Sequence, residues 1–257
     1  MIIRNSSNVR VSESIWTHQR DAVPESALHA LDSVGVRTRY ARGQEVYKEH
    51  SPVECWYRIE FGGARRFSTR ADGKRQIVDL LLPDDVFGFG AQGRHHFAVE
   101  ALIEGTIVAR YPRSRLEALA ASDPRIAQEL REAACQAMSR LHALILNLGR
   151  TTAEEKVGHF LVKIAERLSG GCPTAYVALP ISREEIADYL ALSVETVSRA
   201  LTQLKRRGVI RLTGTRQIRI LDRNSLAGAG DDCFPISDGP RSTEAHLARQ
   251  LVYSDYC

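Results

Sequence analysis

The sequence predicts an α+β protein in which an N-terminal β domain is joined by a long helix to a C-terminal winged helix-turn-helix. Three observations carry this prediction: short alternating runs broken by Gly and Asp-Gly, then a long helical period, then two helix-capping motifs followed by two short β runs. We therefore expect five segments: a flexible arm (1–23), a β domain (24–121), a central helix (122–149), a winged domain (150–223) and a mobile acidic tail (224–257).

The composition is that of a soluble globular protein. Of the 257 residues 44% are hydrophobic and 26% charged, and no apolar run approaches the roughly 20 residues of a membrane span. The N-terminus lacks the apolar core of a signal peptide, so we expect a cytoplasmic protein with no membrane partner. Five scattered cysteines without a CxxC pair indicate reduced thiols and no metal site.

The β domain is predicted from short alternating runs over residues 36–111. Asp72-Gly73 lies between two such runs, and this pair favours a tight hairpin because glycine tolerates positive φ. Several short strands at regular spacing indicate a small barrel or sandwich.

The central helix is predicted to start at Ser122-Asp123-Pro124, which supplies caps and an N1 proline. Apolar residues then recur every three or four positions, close to a heptad seam. This seam could pack on its own β domain or against a second copy, and we favour a symmetric dimer. The predicted interface residues are Ile126, Leu130, Ala133, Ala137, Leu141, Leu144 and Leu148.

Two capping boxes mark the winged domain, one at Thr152-x-x-Glu155 and one at Ser182-x-x-Glu185. The short turn Ala191-Leu192-Ser193 separates the second capped helix from VETVSRALTQLKRRG, and the runs VIRLTG and RQIRILD follow. This order of elements is that of a winged helix-turn-helix, in which the helix after the turn enters the major groove.

One face of that recognition helix carries groups that can read bases, namely Val194, Glu195, Ser198 and Arg199. Arg199 can donate two parallel hydrogen bonds to guanine, Glu195 can accept from cytosine or orient Arg199, and Val194 can contact a thymine methyl. The alternative is an ordinary surface ion pair between Glu195 and Arg199, worth about 0.3–0.5 kcal/mol.

Basic residues are concentrated around this helix. Residues 150–223 hold thirteen Lys/Arg against eight Asp/Glu, which favours a polyanion partner there. We expect a second set of side chains to contact phosphates without reading sequence: Arg183, Thr196, Thr202, Lys205, Arg206 and Arg216.

SREEIADYLALS, VETVSRALTQLKRRGVI and LGRTTAEEKVGHFL together resemble the cyclic-AMP-receptor/FNR family of bacterial transcription regulators. The resemblance implies an N-terminal β-roll (a jelly roll of the cyclic-nucleotide-binding type), a dimerisation helix and a reader of palindromes similar to TTGAT-N4-ATCAA. Glu195, Ser198 and Arg199 match the ExxSR signature of the FNR-like branch, and Val194 stands where the cyclic-AMP branch has arginine. One departure is Ala191, where the turn usually has glycine, and this predicts local strain.

The β-roll lacks the groups that bind known ligands in this family. In FGFGAQGRHHFAVEAL, Phe89 replaces the glutamate and His96-Phe97 replaces the Arg-Ser pair of cyclic-nucleotide members. The absence of cysteine before Cys55 excludes an FNR-like iron–sulfur cluster. We therefore predict no cofactor, with haem as the open alternative through His18, His50, His95 or His96. What remains is similar to the FixK-like and AadR-like group.

The resulting hypothesis is a homodimeric transcription regulator, mainly an activator, in microaerobic, nitrogen-fixation or denitrification circuits. Its partners would be a double-stranded palindrome, a second copy and RNA polymerase, the last through loops such as the Asp72-Gly73 hairpin. The rival hypothesis is a ligand-gated sensor that binds haem, a cyclic nucleotide or a small aromatic in the β-roll. No nucleophile elbow or phosphate loop occurs, so an enzyme is not expected.

Overall fold

The computed structural model describes residues 31, 34–90, 93–168, 176–214 and 216–227. The predicted arm (1–23) and most of the predicted tail, from residue 228 on, lie outside these residues. Within them the chain forms a β-roll, a long helix and a winged helix-turn-helix, as the sequence predicted.

Two four-stranded antiparallel sheets build the β-roll, in the strand orders β1-β8-β3-β6 and β2-β7-β4-β5. The strands are β1 (Val36–Tyr40), β2 (Glu45–Tyr47), β3 (Cys55–Phe61), β4 (Ala64–Thr69), β5 (Arg75–Leu81), β6 (Val86–Phe87), β7 (Ala98–Ala101) and β8 (Thr106–Pro112). Side chains from both sheets fill the space between them, among them Tyr57, Ile59, Leu81, Phe87 and Val108.

The Asp72-Gly73 pair forms the predicted hairpin between β4 and β5. Gly73 has a φ of 78°, and its amide donates to the carbonyl of Arg70 at 2.9 Å. The Lys74 amide donates to Asp72 Oδ1 at 3.0 Å, which closes the turn. The strands of this hairpin face the helices of the winged domain, so the turn also positions an interdomain contact.

The helices linking the domains are α1 (Arg113–Ser122), α2 (Pro124–Leu148) and α3 (Ala153–Leu168). Asp123 caps α2 by accepting from the Arg125 amide, with proline at the first helical position as predicted. The start of α2 packs on the β-roll, where Ile126 and Leu130 join Tyr111 and Leu116 in one buried cluster.

The winged domain continues with β9 (Tyr176–Ala178), α4 (Arg183–Leu190), α5 (Val194–Arg206), β10 (Ile210–Leu212) and β11 (Gln217–Ile220), and ends in α6 (Asn224–Ala227). The predicted domain boundary at residue 223 was too early. Leu226 on α6 is 4% exposed and packs against Gly158 of α3, where there is no side chain to keep them apart. Residues 224–227 therefore belong to the winged domain rather than to a mobile tail.

Candidate nucleic-acid interface

Local hydrogen bonds fix the angle between α4 and α5. Ser182 and Glu185 form the predicted capping box at the start of α4, and Ser193 caps α5 by accepting from the Thr196 amide at 3.1 Å. Between the helices Ala191 has φ 53° and ψ 46°, a left-handed conformation that costs a non-glycine residue about 1–2 kcal/mol. The predicted strain is therefore located at Ala191, in the turn that sets the direction of α5.

The inner face of α5 anchors the helix. Val197, Leu201 and Leu204 are at most 2% exposed, and they share one core with Ile186 and Leu190 of α4. This arrangement confirms the buried stripe read from the sequence. Because the stripe occupies a single side of α5, the opposite side must face solvent.

The predicted base-reading residues lie on that outer face. Val194 is 40% exposed, which is unusual for a large apolar side chain, and Glu195 and Arg199 are exposed as well. Among the described residues, Glu195 and Arg199 form no ion pair with each other. Ser198 is half-buried, and its Oγ accepts from Arg183 Nη1 at 3.3 Å.

The predicted phosphate contacts fall into two groups. Lys205 and Arg206 are exposed in the last turn of α5, and Arg216 is half-buried at the start of the wing strand β11. The two threonines are engaged inside the helix: Thr196 Oγ1 lies 2.9 Å from Ser193 Oγ, and Thr202 Oγ1 donates to the Ser198 carbonyl at 2.8 Å. Their hydroxyls are therefore weaker candidates for phosphate binding than the cationic side chains.

The dimer seam predicted from the sequence faces the rest of its own chain. Ile126, Leu130, Ala137 and Leu144 are all buried within their own chain. The other three predicted seam residues, Ala133, Leu141 and Leu148, are half-buried at the edges of the same face. The heptad spacing was correct, but it marks the side of α2 that packs on its own protomer.

The opposite side of α2 is open and partly apolar. Met138, Ile145 and Leu146 are 54%, 64% and 59% exposed, three of the largest apolar exposures in the described chain. Cys135 and His142 are also exposed, and with Met138 and Ile145 they form a row spaced by three, four and three residues, with Leu146 beside it. We call Cys135, Met138, His142, Ile145 and Leu146 the open face. Sequence reasoning missed it, because the same spacing also fits the buried row.

The interior of the β-roll is occupied by aromatic side chains. His95 is 3% exposed and stacks on Tyr47, with ring centroids 3.7 Å apart. Tyr57 and Phe87 stack beside them at 5.3 Å. Burial lowers the pKa of His95, which keeps the imidazole neutral. These rings pack against one another inside the roll.

The positions that would bind a cyclic nucleotide are used for other contacts. Phe89 packs edge-on against Trp56 at 4.6 Å, and the ring of Phe97 lies against Arg66, whose Cζ is 5.9 Å from the ring centroid. Of the other candidate haem ligands, His50 and His96 are exposed and His18 lies outside the described residues.

Over the described ranges, no three His, Cys, Asp or Glu side chains group as metal ligands. No helix there is long and apolar enough to span a membrane.

Two domain families match the chain. The Crp-like helix-turn-helix domain matches residues 155–229, and the cyclic nucleotide-binding domain matches residues 37–123. Together they cover more than half of the sequence, with α2 between them.

Individual relatives match over most of their length. The nitrogen fixation regulation protein FixK of Azorhizobium caulinodans is 38% identical over 210 residues, which are 80% of this chain and 84% of that protein. The transcriptional activator protein FnrL of Cereibacter sphaeroides is 34% identical over 219 residues, 82% of this chain and 86% of that protein. Among solved structures, FixK2 from Bradyrhizobium japonicum aligns with a TM-score of 0.69 at 38% identity, covering 75% of this chain and 96% of FixK2.

Proposed function

The chain belongs to the cyclic-AMP-receptor/FNR family, among its FixK-like members, and from this premise we propose that it is a homodimeric activator of transcription that reads a palindrome similar to TTGAT-N4-ATCAA. It is a DNA-binding transcription regulator and not an enzyme, in line with the names of its relatives. The observation that carries the finer proposal is the outer face of α5, where Val194, Glu195 and Arg199 are exposed while the inner face is fully buried.

The exposed groups have distinct roles in this proposal. Arg199 donates a pair of hydrogen bonds to a guanine, Glu195 accepts from a cytosine amino group, and Val194 contacts a thymine methyl. Ser198 adds a hydroxyl whose orientation is set by Arg183. Each bidentate pair discriminates between bases by about 1–3 kcal/mol.

Cationic side chains around α5 hold the protein on the duplex. Lys205 and Arg206 contact the phosphates beside the helix, and Arg216 contacts the next phosphates from the wing. Arg207 does not join this set, because it forms an ion pair with Glu154 of α3. Such contacts add affinity that falls with salt but carry no sequence information.

The open face of α2 is the dimer interface in this proposal. It presents Met138 and Ile145 on one line along a 25-residue helix, and burial of these side chains favours association of two copies. A parallel pair of α2 helices gives the two recognition helices the twofold symmetry of a palindrome.

The biological setting rests on the relatives. By analogy with the nitrogen fixation regulation proteins, we place the chain in microaerobic, nitrogen-fixation or denitrification control. Activation requires contact with RNA polymerase, for which the Asp72-Gly73 turn of the β-roll is an exposed candidate. The packed interior of the roll supports DNA binding without an added ligand.

Titration of the untreated protein onto a TTGAT-N4-ATCAA duplex tests the proposal. We expect specific binding without additive, and we expect Arg199→Ala to lose about 1–3 kcal/mol and its preference for guanine. Arg113→Ala is the matched control, because Arg113 is paired with Glu117 on α1, far from the winged domain. An equal loss on random DNA would refute base reading by Arg199, and an absolute ligand requirement would refute ligand-free activity.

A further inference from the structure

The β4–β5 hairpin is bonded to two of the helices around it. Asp79 of β5 accepts from Arg66 at 3.1 Å and from Arg140 of α2 at 3.3 Å. Asp85, which follows β5, forms an ion pair with Arg140 at 3.1 Å and is also paired with Arg167 of α3. Two carboxylates of the β-roll thus connect the dimerisation helix with the first helix of the winged domain.

The same hairpin also holds the helix-turn-helix. Glu185 on α4 uses its two oxygens separately: Oε2 accepts from the Ser182 amide at 2.6 Å in the capping box, and Oε1 accepts from Arg65 Nη1 at 2.7 Å. Arg65 lies on β4, and its Nε donates to Glu100 at 2.8 Å. A β-roll arginine therefore binds the carboxylate that starts α4.

This interdomain contact is well buried. The side chains of Arg65 and Glu185 are only 14% and 9% exposed, so their attraction is weakly screened by solvent. Gln76 on β5 adds a second link by donating to the Asp188 carbonyl of α4 at 2.6 Å. Arg42 approaches Glu185 at 4.0 Å but is half-exposed and beyond hydrogen-bonding distance.

Apolar packing continues across the boundary. Phe67 and Ile77 of the hairpin belong to the same buried cluster as Ile186 of α4 and Val197 of α5. Since apolar contact is non-directional, it holds the domains together without fixing one relative rotation. The hydrogen-bonded ion pair is directional and can fix it.

We propose that Arg65 is a positioning residue for DNA recognition, which sets the distance between the two recognition helices of the dimer by holding α4 against the β-roll. The inference rests on the proposed palindrome-reading dimer. The two half-sites of a palindrome lie about one helical turn apart, so each α5 must keep a fixed place relative to α2. Only a short connection, residues 149–152, joins α2 to α3 along the chain, and the hairpin supplies the second attachment.

Arg65→Gln tests the proposal, with Arg75→Gln as the matched control. Both arginines bind Glu100 Oε1, and both lie on the ring of Phe67, at 5.9 Å for Arg65 and 4.8 Å for Arg75. Only Arg65 also binds Glu185. The control therefore removes the same charge from the same cluster and leaves the link to α4 in place.

Binding is measured on the TTGAT-N4-ATCAA duplex, on duplexes with one base pair more or fewer in the spacer, and on a single half-site. We expect Arg65→Gln to weaken palindrome binding about tenfold, equivalent to about 1.4 kcal/mol, and to reduce the preference for the correct spacer. Half-site binding stays within twofold of the wild type, as does every measurement on Arg75→Gln.

Glu185→Gln is the second variant, because a glutamine side chain can still cap α4 with its amide oxygen. It reproduces the Arg65→Gln result, and the double variant loses no more than either single variant. An equal loss on the half-site, or an unchanged spacer preference in both variants, overturns the positioning role. If the wild-type protein fails to prefer the palindrome over a half-site, the proposed function itself fails.

Discussion

Replacing Met138 by glutamate separates dimerisation from folding, because this side chain lies in the middle of the open face of α2. It is 54% exposed in the single chain, so about half of its burial remains to be gained in a dimer. Full burial of a methionine contributes about 1.5–3 kcal/mol, so gaining half of it in each of two copies would contribute about 1.5–3 kcal/mol on association. Removing that contribution weakens the dimer about 10- to 150-fold, and two apposed carboxylates weaken it further.

Sedimentation velocity over a concentration series measures this effect, and urea unfolding measures stability in parallel. We expect Met138→Glu to sediment as a monomer at concentrations where the wild type is a dimer. Gln136→Glu is the control, since Gln136 is exposed on the same helix but outside the open face. We expect the control to remain a dimer.

Leu130→Ala is the reciprocal experiment on the buried face. Leu130 is 7% exposed and packs with Ile126 and Tyr111, so its truncation should cost about 2–5 kcal/mol of the free energy of unfolding. The folded fraction of this variant should still dimerise. The assignment of the two faces is refuted if Met138→Glu stays dimeric while the folded Leu130→Ala protein becomes monomeric.

Two further predictions concern the turn and the β-roll. Ala191→Gly should raise the free energy of unfolding by about 0.5–1 kcal/mol in urea denaturation, because glycine relieves the left-handed strain at a small entropic cost; a loss of stability would show that Ala191 is not strained. The lowered pKa of His95 favours its neutral form in the folded state, so stability should be complete above the ordinary value of 6.5 and decline as the pH falls below it. His95→Phe should flatten this acid limb in unfolding curves measured at several pH values, and an unchanged slope would contradict the assignment.

The recognition helix could be predicted in detail because its apolar residues fit only one orientation of the helix. The apolar residues of α5, represented by Val197 and Leu201, occupy one side and leave the other side exposed. The capping residues Ser182 and Ser193 fixed the starts of α4 and α5 from local sequence alone. Capping residues and periodicity were sufficient to predict an element where the helix has one clear cap and one apolar face.

The face of α2 that packs on its own chain could not be predicted because α2 has two faces with apolar residues at heptad spacing. Leu130 and Leu144 lie on one side of α2 and Met138 and Ile145 on another, and both pairs fit a spacing of seven residues or a multiple of it. The spacing alone therefore does not tell which side packs on the β-roll. That choice depends on where β8 and α1 end, which brings Tyr111 and Leu116 against the start of α2. Tertiary contact, rather than a property of the helix itself, decides the face.

The pairing of Arg65 with Glu185 could not be predicted from the sequence, because 120 residues separate the two partners. Each side chain can be explained locally: Arg65 as a charged residue on a strand, and Glu185 as the acid of a capping box. Their pairing changes the role of the β-roll. The β4–β5 surface of the roll contacts α4 directly, while Tyr47, Tyr57, Phe87 and His95 pack together in the interior of the roll. We expect the amount of protein, rather than occupancy of a pocket, to control DNA binding.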